Sequence, residues 1–386
     1  ELYGVITTEA IARAEITAPE RKRAICMAVT TKDFQDLGKP SSWSASLDKL
    51  ASGADDDSRR LIVVCAGNTD LEFRHLYPNS NNTDQIHDPG QSWNALTVGA
   101  YTEKIYVDPA EYPDWIPIAP RGDLSPGSCT SRIWQKSWPI KPDVVMEGGN
   151  MAVDPSTGKA DFVDSTRLLT TNYKFLQKPL IVTGDTSAAT ALAARMSARI
   201  LAEYPDYWPE TIRGLLVHSA EWTEAMKQRG HPLQTRSQKE TLLRNCGYGV
   251  PNLDRAMWSA RNALTLVAQE SLQPFDRFDN QYRTRDLNLH YLPWPIEVLE
   301  GLGETLVEMR VTLSYFIEPN PARRGWVRKH RYMSHGLRFE VKTPIETVDQ
   351  FRQRINEIAR DEDIGMSRSR SDASKWFLGP DQETTY

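Results

Sequence analysis

The chain has 386 residues, of which 40% are hydrophobic and 25% charged, the composition of an ordinary globular protein with room for two domains. Its net charge of −5 excludes a basic footprint for nucleic acid or an anionic membrane, and no apolar run is long enough to span a bilayer. The four cysteines are scattered without the spacing of metal ligands, so we expect no metal centre and a cytoplasmic location.

The first part of the chain alternates helical and strand patterns. A short helix is predicted over residues 8–15, a strand over 23–30, a helix over 43–51 with Ser42 as its cap, and a strand over 61–66. Because strand–helix–strand connections join parallel strands, this alternation predicts an α/β fold with a parallel sheet. Such sheets bind their ligands beyond the carboxyl ends of the strands.

The strand over 61–66 ends in a candidate oxyanion donor. Its apolar run is followed directly by Gly67 and Asn68. An amide side chain at the carboxyl end of a parallel strand is well placed to donate a hydrogen bond to an oxyanion. Gly-Asn after a strand is also a common turn sequence, and for this pair taken alone that interpretation stays open.

The most informative segment is residues 181–196, where a β-branched strand pattern stops at Gly184 and an Ala-rich helix follows. The helix is predicted over 188–203 and, being apolar almost all round, is expected to be the buried central helix. Ser187 lies at its start, where unpaired amides and the positive end of the helix dipole stabilise negative charge. An ordinary N-cap is the alternative role for Ser187 or its neighbour Thr186.

Taken together and in this order, the two motifs resemble those of the subtilisin-like serine proteases (subtilases) of large bacterial type. The sequence Ala66-Gly67-Asn68 is similar to the strand end that carries the family's oxyanion asparagine. Thr186-Ser187-Ala188-Ala189 is similar in part to the Gly-Thr-Ser-x-Ala-x-Pro sequence that carries its nucleophile. Further similar segments follow in family order, over residues 25–30, 42–51, 94–100, 141–145, 204–220 and 247–252. The resemblance implies a parallel-sheet subtilase core that is incomplete on its N-terminal side.

The resemblance also implies roles for individual residues. Ser187 is expected to be the nucleophile, Asn68 to contribute to the oxyanion hole, and a polypeptide to be the substrate. Four consecutive residues are expected to bind that substrate through their backbone as an added strand: Met27, Ala28, Val29 and Thr30. Two positions depart from the family pattern, because Asp185 stands in place of Gly and Ala191 in place of Pro.

The partners that would activate the nucleophile are not recognisable in the sequence. The family's catalytic Asp and its His-Gly-Thr lie upstream of every segment matched here, and none of the seven histidines is followed by Gly-Thr. We therefore expect the catalytic Asp and His outside these 386 residues, which would leave the chain alone inactive. His87, in a loop before the segment 94–100, is the histidine that could approach the cleft.

The character of the sequence changes toward its C-terminal end. Residues 306–315 and 337–341 alternate apolar and polar side chains, which predicts antiparallel strands, and residues 348–358 place apolar side chains on one helical face. We therefore predict two domains: a partial subtilase-like core over 1–260, and a β-rich, sandwich-like domain with one amphipathic helix over 261–386.

The sequence thus predicts a serine endopeptidase, with a catalytically inactive subtilase-like peptide-binding or interaction module as the alternative. The alternative is favoured by Asp185 and the unassigned triad partners, whereas Asn68 and Ser187 together favour the enzyme because binding alone needs neither. No cofactor is predicted: many subtilases bind calcium, but Asp55-Asp56-Asp57 has the character of a solvated turn. The resemblance to large bacterial cytoplasmic subtilases implies an AAA-type ATPase as a partner.

Overall fold

The computed structural model of the chain describes residues 2–260, 265–279, 281–292, 295–320, 332–333, 335–337, 339–343 and 345–363. Its helices are α1 (Leu2–Thr17), α2 (Ser42–Ser52), α3 (Asn79–Thr83), α4 (Asp185–Glu203), α5 (Pro209–Ser219), α6 (Glu224–Gln228), α7 (Arg236–Cys246), α8 (Leu253–Ser259), α9 (Ile296–Gly301) and α10 (Val348–Asp363). Its strands are β1 (Ala24–Met27), β2 (Leu61–Cys65), β3 (Leu96–Tyr101), β4 (Ile116–Pro117), β5 (Val144–Glu147), β6 (Ala152–Val153), β7 (Ala160–Asp161), β8 (Leu168–Thr171), β9 (Leu180–Thr183), β10 (Phe275–Phe278) and β11 (Gln281–Thr284). Among these described residues, no helix combines the length and apolarity that crossing a bilayer would need.

Four strands form a parallel sheet in the order β1–β2–β3–β5. Ile25 lies opposite Ile62 where β1 pairs with β2, and Val98 lies opposite Val144 where β3 pairs with β5. Every residue of β2 is buried. A strand that is covered on both faces needs a continuous apolar sequence, which is the pattern seen over residues 61–65. The predicted α/β fold with a parallel sheet is therefore confirmed.

Alternate residues of β2 face two different helix layers. Leu61 and Val63 lie in one cluster with apolar side chains of α4 and α5, including Ala189, Ala193, Met196, Ile200, Ile212 and Leu216. Ile62 and Val64 lie in a second cluster, with side chains of α1 and α2 that include Ile11, Leu47 and Ala51. The period-two alternation of strand side chains thus gives the sheet one helix layer on each face.

Helix α4 runs across the sheet and contacts all four of its strands. Ala189, Ala193 and Ala194 are buried on the side that meets the sheet, and such small side chains allow close approach. The opposite side carries Arg195 and Arg199, which are exposed. Helix α4 is therefore central to the sheet but is buried along one side only.

The N-terminal boundaries of α2 and α4 differ from those predicted. Helix α4 begins at Asp185, so Thr186 and Ser187 belong to its first turn. Helix α2 is capped by Ser41 and not by Ser42: the Ser41 side chain accepts a hydrogen bond from the amide of Ser44 at 2.9 Å. Two adjacent serines are equally suited to cap a helix, and the extended backbone of Ser41 (φ −89°, ψ 173°) decides between them.

The region after α8 contains the antiparallel pair β10–β11 and the amphipathic helix α10, so a strand-bearing C-terminal region is confirmed. Residues 306–315 form no strand, and neither do the described residues of 337–341. Apolar–polar alternation assigns side chains to two faces, but a strand also needs a partner, and Leu306 is 95% exposed. The domain boundary near residue 260 stays a prediction.

Part of this C-terminal region is anchored to the core by buried polar side chains. Asn94 donates from Nδ2 to the Ile317 carbonyl at 2.7 Å and accepts from the Ile317 amide at 2.8 Å. The Tyr332 hydroxyl donates to the carboxylate of Asp48, which also accepts from the Ser92 hydroxyl at 2.6 Å. These five residues, named here the anchor cluster, lie at the amino end of β3.

Candidate active site

The two motifs singled out in the sequence meet at the carboxyl end of the parallel sheet. Asn68 follows β2, and Ser187 is the third residue of α4. The Asn68 Oδ1 atom accepts hydrogen bonds from the Thr186 amide at 3.1 Å and the Thr186 hydroxyl at 2.7 Å. Asn68 is therefore bonded directly to the residue that precedes Ser187, although 118 positions separate the pair in sequence.

These bonds also fix which way the Asn68 amide points. A backbone N–H can only donate, so the atom that faces the Thr186 amide must be the oxygen Oδ1. The other end of the side chain, Nδ2, then carries two N–H donors. Among the described residues, no group accepts a hydrogen bond from Nδ2, and the side chain is half-buried. The two N–H groups of Asn68 Nδ2 therefore remain available for a hydrogen bond.

Ser187 is half-buried in the first turn of α4. At this position the helix offers no carbonyl to its backbone amide, so the amide is a second donor at the same place. The Ser187 side chain lies within hydrogen-bonding reach of the Cys65 thiol at the end of β2. Burial raises the pKa of Cys65 to about 11, so the thiol stays protonated near neutral pH and is no base for Ser187.

The segment predicted to bind substrate continues past the end of β1. Met27 is the last residue of that strand and is half-buried, as is Thr30, whereas Ala28 and Val29 between them are exposed. Among the described strands, β1 has only β2 as a neighbour and is an edge of the sheet. An exposed segment at a sheet edge can pair with an extended peptide.

A group of charges surrounds the turn that leads into α4. Asp185 has a positive φ of +63°. Its carboxylate accepts two hydrogen bonds from Arg74, at 2.9 and 3.1 Å, and one from Arg167 at 3.3 Å. Gly184 allows this arrangement, since a Cβ atom there would lie 2.5 Å from Cζ of Arg167. The sequence distinguishes Asp185 but not its partners, because ion pairs between distant positions leave no local pattern.

His87 lies behind the turn that holds Asn68. Its ring packs on Gly67, where an added Cβ would come within 2.4 Å of the ring, and its Nε2 atom lies 3.6 Å from Sγ of Cys129. Burial lowers the pKa of His87 to about 4, so it is neutral at neutral pH. Among the described residues, no histidine forms a hydrogen bond with Ser187. Nor, within those residues, do three His, Cys, Asp or Glu side chains come close enough to hold a metal ion.

Comparisons with known proteins agree with the arrangement of the core. The profile described as the subtilase family matches residues 1–249. An uncharacterized protein, y4bN, of Sinorhizobium fredii is 26% identical over 295 residues, which are 72% of this chain and 63% of that protein. The chain thus spans 63% of the length of this curated relative.

Two solved structures are similar at low sequence identity. One is a mutant of the protease domain of PatA, with 16% identity and a TM-score of 0.35, covering 64% of this chain and 62% of that one. The other is the prenylagaramide maturation protease PagA, with 15% identity and a TM-score of 0.38, covering 66% of each chain.

Proposed function

The chain belongs to the subtilase family, and on that premise we propose that it is a serine endopeptidase with Ser187 as nucleophile and Asn68 as oxyanion donor. One observation carries the proposal: Asn68 bonds the residue before Ser187 through its oxygen, and no described residue accepts a hydrogen bond from its Nδ2 donors.

The proposed chemistry uses the atoms of the first turn of α4. The Ser187 hydroxyl attacks the scissile carbonyl and loses its proton to a base, normally a histidine. The oxyanion that forms accepts hydrogen bonds from Nδ2 of Asn68 and from the Ser187 amide. The positive end of the α4 dipole acts in the same direction. An extended substrate pairs with the backbone of residues 27–30, whose middle two residues are exposed.

We further propose that the base and its orienting carboxylate are an Asp and a His outside these 386 residues. The described histidines make no hydrogen bond with Ser187, which supports an external source. An exposed apolar surface on α1 supports it as well: Leu2, Val5 and Ile6 are 68%, 63% and 52% exposed. Among the described strands β1 is an edge of the sheet, and such edges are normally covered.

An inactive peptide-binding module is the second candidate function. It is favoured by the same observation, that the described residues provide Ser187 with no base. The exposed segment 27–30 would bind an extended peptide equally well in either case. An AAA-type ATPase partner and a cytoplasmic location stay predictions.

Labelling with a fluorophosphonate probe separates these functions. We expect no reaction with the 386-residue chain, and stoichiometric reaction with a longer form that carries the upstream Asp and His-Gly-Thr. Ser187→Ala should abolish that labelling. Ser197→Ala is the matched control, because Ser197 is a buried serine of the same helix that bonds the Ala193 carbonyl.

The other outcomes are equally informative. Labelling of Ser187 in the 386-residue chain itself would show that a base is present there and would contradict an external triad. If the longer form binds peptides but is never labelled, the inactive module is the correct function.

A further inference from the structure

The turn immediately before Ser187 is held in a conformation that its residue type does not favour. Asp185 has a φ of +63°, in the left-handed region that glycine adopts readily and other residues rarely do. Such a conformation persists only when surrounding contacts hold it in place. The Asp185 amide donates to the Gly148 carbonyl at 2.6 Å, and the carboxylate is bound by two arginines. The backbone just before Ser187 is therefore constrained through both the amide and the carboxylate of Asp185.

Arg74 links this turn to the Asn68 side of the site. Its Nη1 and Nη2 atoms donate to the two carboxylate oxygens of Asp185 at 2.9 and 3.1 Å. Its third donor, Nε, donates to the carbonyl of Thr69, the residue after Asn68, at 2.9 Å. One guanidinium group thus spans from the neighbour of the oxyanion donor to a residue two positions before the nucleophile. Its planar fork fixes the separation of the two sides.

The guanidinium is itself held rigidly. The Arg74 side chain is 3% exposed and that of Asp185 is 17% exposed, so solvent screens their pairing little. Arg74 and Arg167 both lie over the ring of Phe162, at 5.5 and 4.2 Å from its centroid. Exposed ion pairs are mobile, whereas burial and the further bonds to Arg167 and Thr69 restrict the movement of this one.

We propose that Arg74 and Asp185 are positioning residues that set the distance between Asn68 Nδ2 and Ser187 Oγ for catalysis. The proposal rests on the proposed function, since it assigns these residues to the same site. Neither residue touches the reacting atoms. They act through Thr69 on one side and through the first turn of α4 on the other.

The first test measures catalysis in a peptide-hydrolysing form of the protein. We expect Arg74→Met to lower kcat by about a hundredfold and to change KM less than about threefold, because a displacement near 1 Å has an effect of this size. Arg74→Lys keeps the positive charge but loses the planar fork of donors, so its kcat should lie between those of the wild type and Arg74→Met. Arg60→Met is the matched control: Arg60 is an 8% exposed arginine that pairs with Glu15 and Asp56. It precedes β2 and so lies at the opposite end of the sheet; its kcat should not change.

The second test needs no activity and uses the 386-residue chain. The Thr186 amide donates to Asn68 Oδ1, so its hydrogen exchange by NMR reports how firmly the two sides are held. Arg74→Met should accelerate this exchange at least about tenfold relative to the Ala194 amide within α4, and Asp185→Asn should do the same. Arg60→Met should leave the ratio unchanged.

Unchanged kcat with unchanged Thr186 exchange would overturn the proposal. A lower kcat without faster exchange would also contradict it, because the effect would then arise elsewhere. If no form of the protein hydrolyses peptides, the proposed function fails, and the exchange ratio alone decides whether Arg74 and Asp185 hold the two sides together.

Discussion

Two asparagines at opposite ends of the parallel sheet use the same side chain in different ways. At the amino end, Asn94 is 1% exposed and bonds through both its oxygen and its nitrogen, to Ile317 and to the Asp48 carbonyl. At the carboxyl end, Asn68 bonds through its oxygen alone, and no described residue accepts from its nitrogen. The first arrangement leaves nothing for a ligand, so it serves stability. The second leaves an N–H donor without a described acceptor, as the proposed oxyanion role requires.

The largest expected effect is on stability at the amino end. Asn94→Ala would leave the amide and the carbonyl of Ile317 buried without partners, so we expect a loss of about 3–5 kcal/mol in the free energy of unfolding. Urea denaturation measures this loss. The kcat of a peptide-hydrolysing form should not change while the protein stays folded. A large fall in kcat would show that Asn94, at the amino end of the sheet, also affects the active site.

Asn68→Ala tests the other end of the sheet. Loss of the Nδ2 donor should lower kcat by about 10²–10³ with little change in KM, because the donor acts on charge that develops only in the transition state. The loss of stability should be about 1–3 kcal/mol, since the buried Thr186 amide loses its acceptor while the Thr186 hydroxyl keeps the Gly67 carbonyl. Steady-state kinetics and urea denaturation on the same samples give both numbers. A variant with full kcat would show that Asn68 only closes a turn.

The smallest expected effect concerns His87, the buried neighbour of Gly67. Burial lowers the pKa of His87 to about 4, below the ordinary value of 6.5. Between these two pH values the unfolded chain binds a proton at His87 and the folded chain does not. The stability due to neutral His87 is complete above pH 6.5 and is lost as the pH falls toward 4. We expect the difference in unfolding free energy between the wild type and His87→Gln to shift by about 2 kcal/mol from pH 7 to pH 4.5.

Asp88 requires a control in this measurement. Burial raises the pKa of Asp88 to about 6, so it takes up a proton on folding and opposes His87 between pH 4 and 6. The wild type alone would therefore show a flattened pH dependence. In an Asp88→Asn background the His87 effect should appear undiminished. If the unfolding free energies of Asp88→Asn and of Asp88→Asn with His87→Gln depend on pH in the same way, His87 is not held neutral by the fold.

Local sequence patterns predicted those parts of the molecule whose cause is local. Strand-length apolar runs predicted β1 and β2, and Asn68 follows the carboxyl end of β2 as expected. The strand before Ser187, β9, pairs antiparallel with β8 outside the parallel sheet, so the rule that parallel strands end at one edge does not account for the position of Ser187. The family resemblance is confirmed over residues 1–249, whereas the roles of Ser187, Asn68 and residues 27–30 stay predictions.

Features that depend on distant partners were not predictable in this way. The bonds between Arg74 and Asp185 join positions 111 residues apart, and the sequence near either residue contains no pattern that indicates them. The strand predicted over residues 306–315 is wrong for the converse reason, because the alternation is a local pattern whereas strand pairing depends on other parts of the chain. A local sequence pattern predicts which face of an element a side chain occupies, but the residues that it contacts there depend on the whole fold.

The anchor cluster has a consequence for how the protein is made. Tyr332 follows its partner Asp48 by 284 residues, and Ile317 follows Asn94 by 223. At roughly 5–20 residues per second, about 15–60 seconds of translation separate Asp48 from Tyr332. During that interval β2 and β3 have already been synthesised, but the groups that close the amino end of the sheet have not. Completion of the core therefore waits until the segment around Tyr332 has left the ribosome.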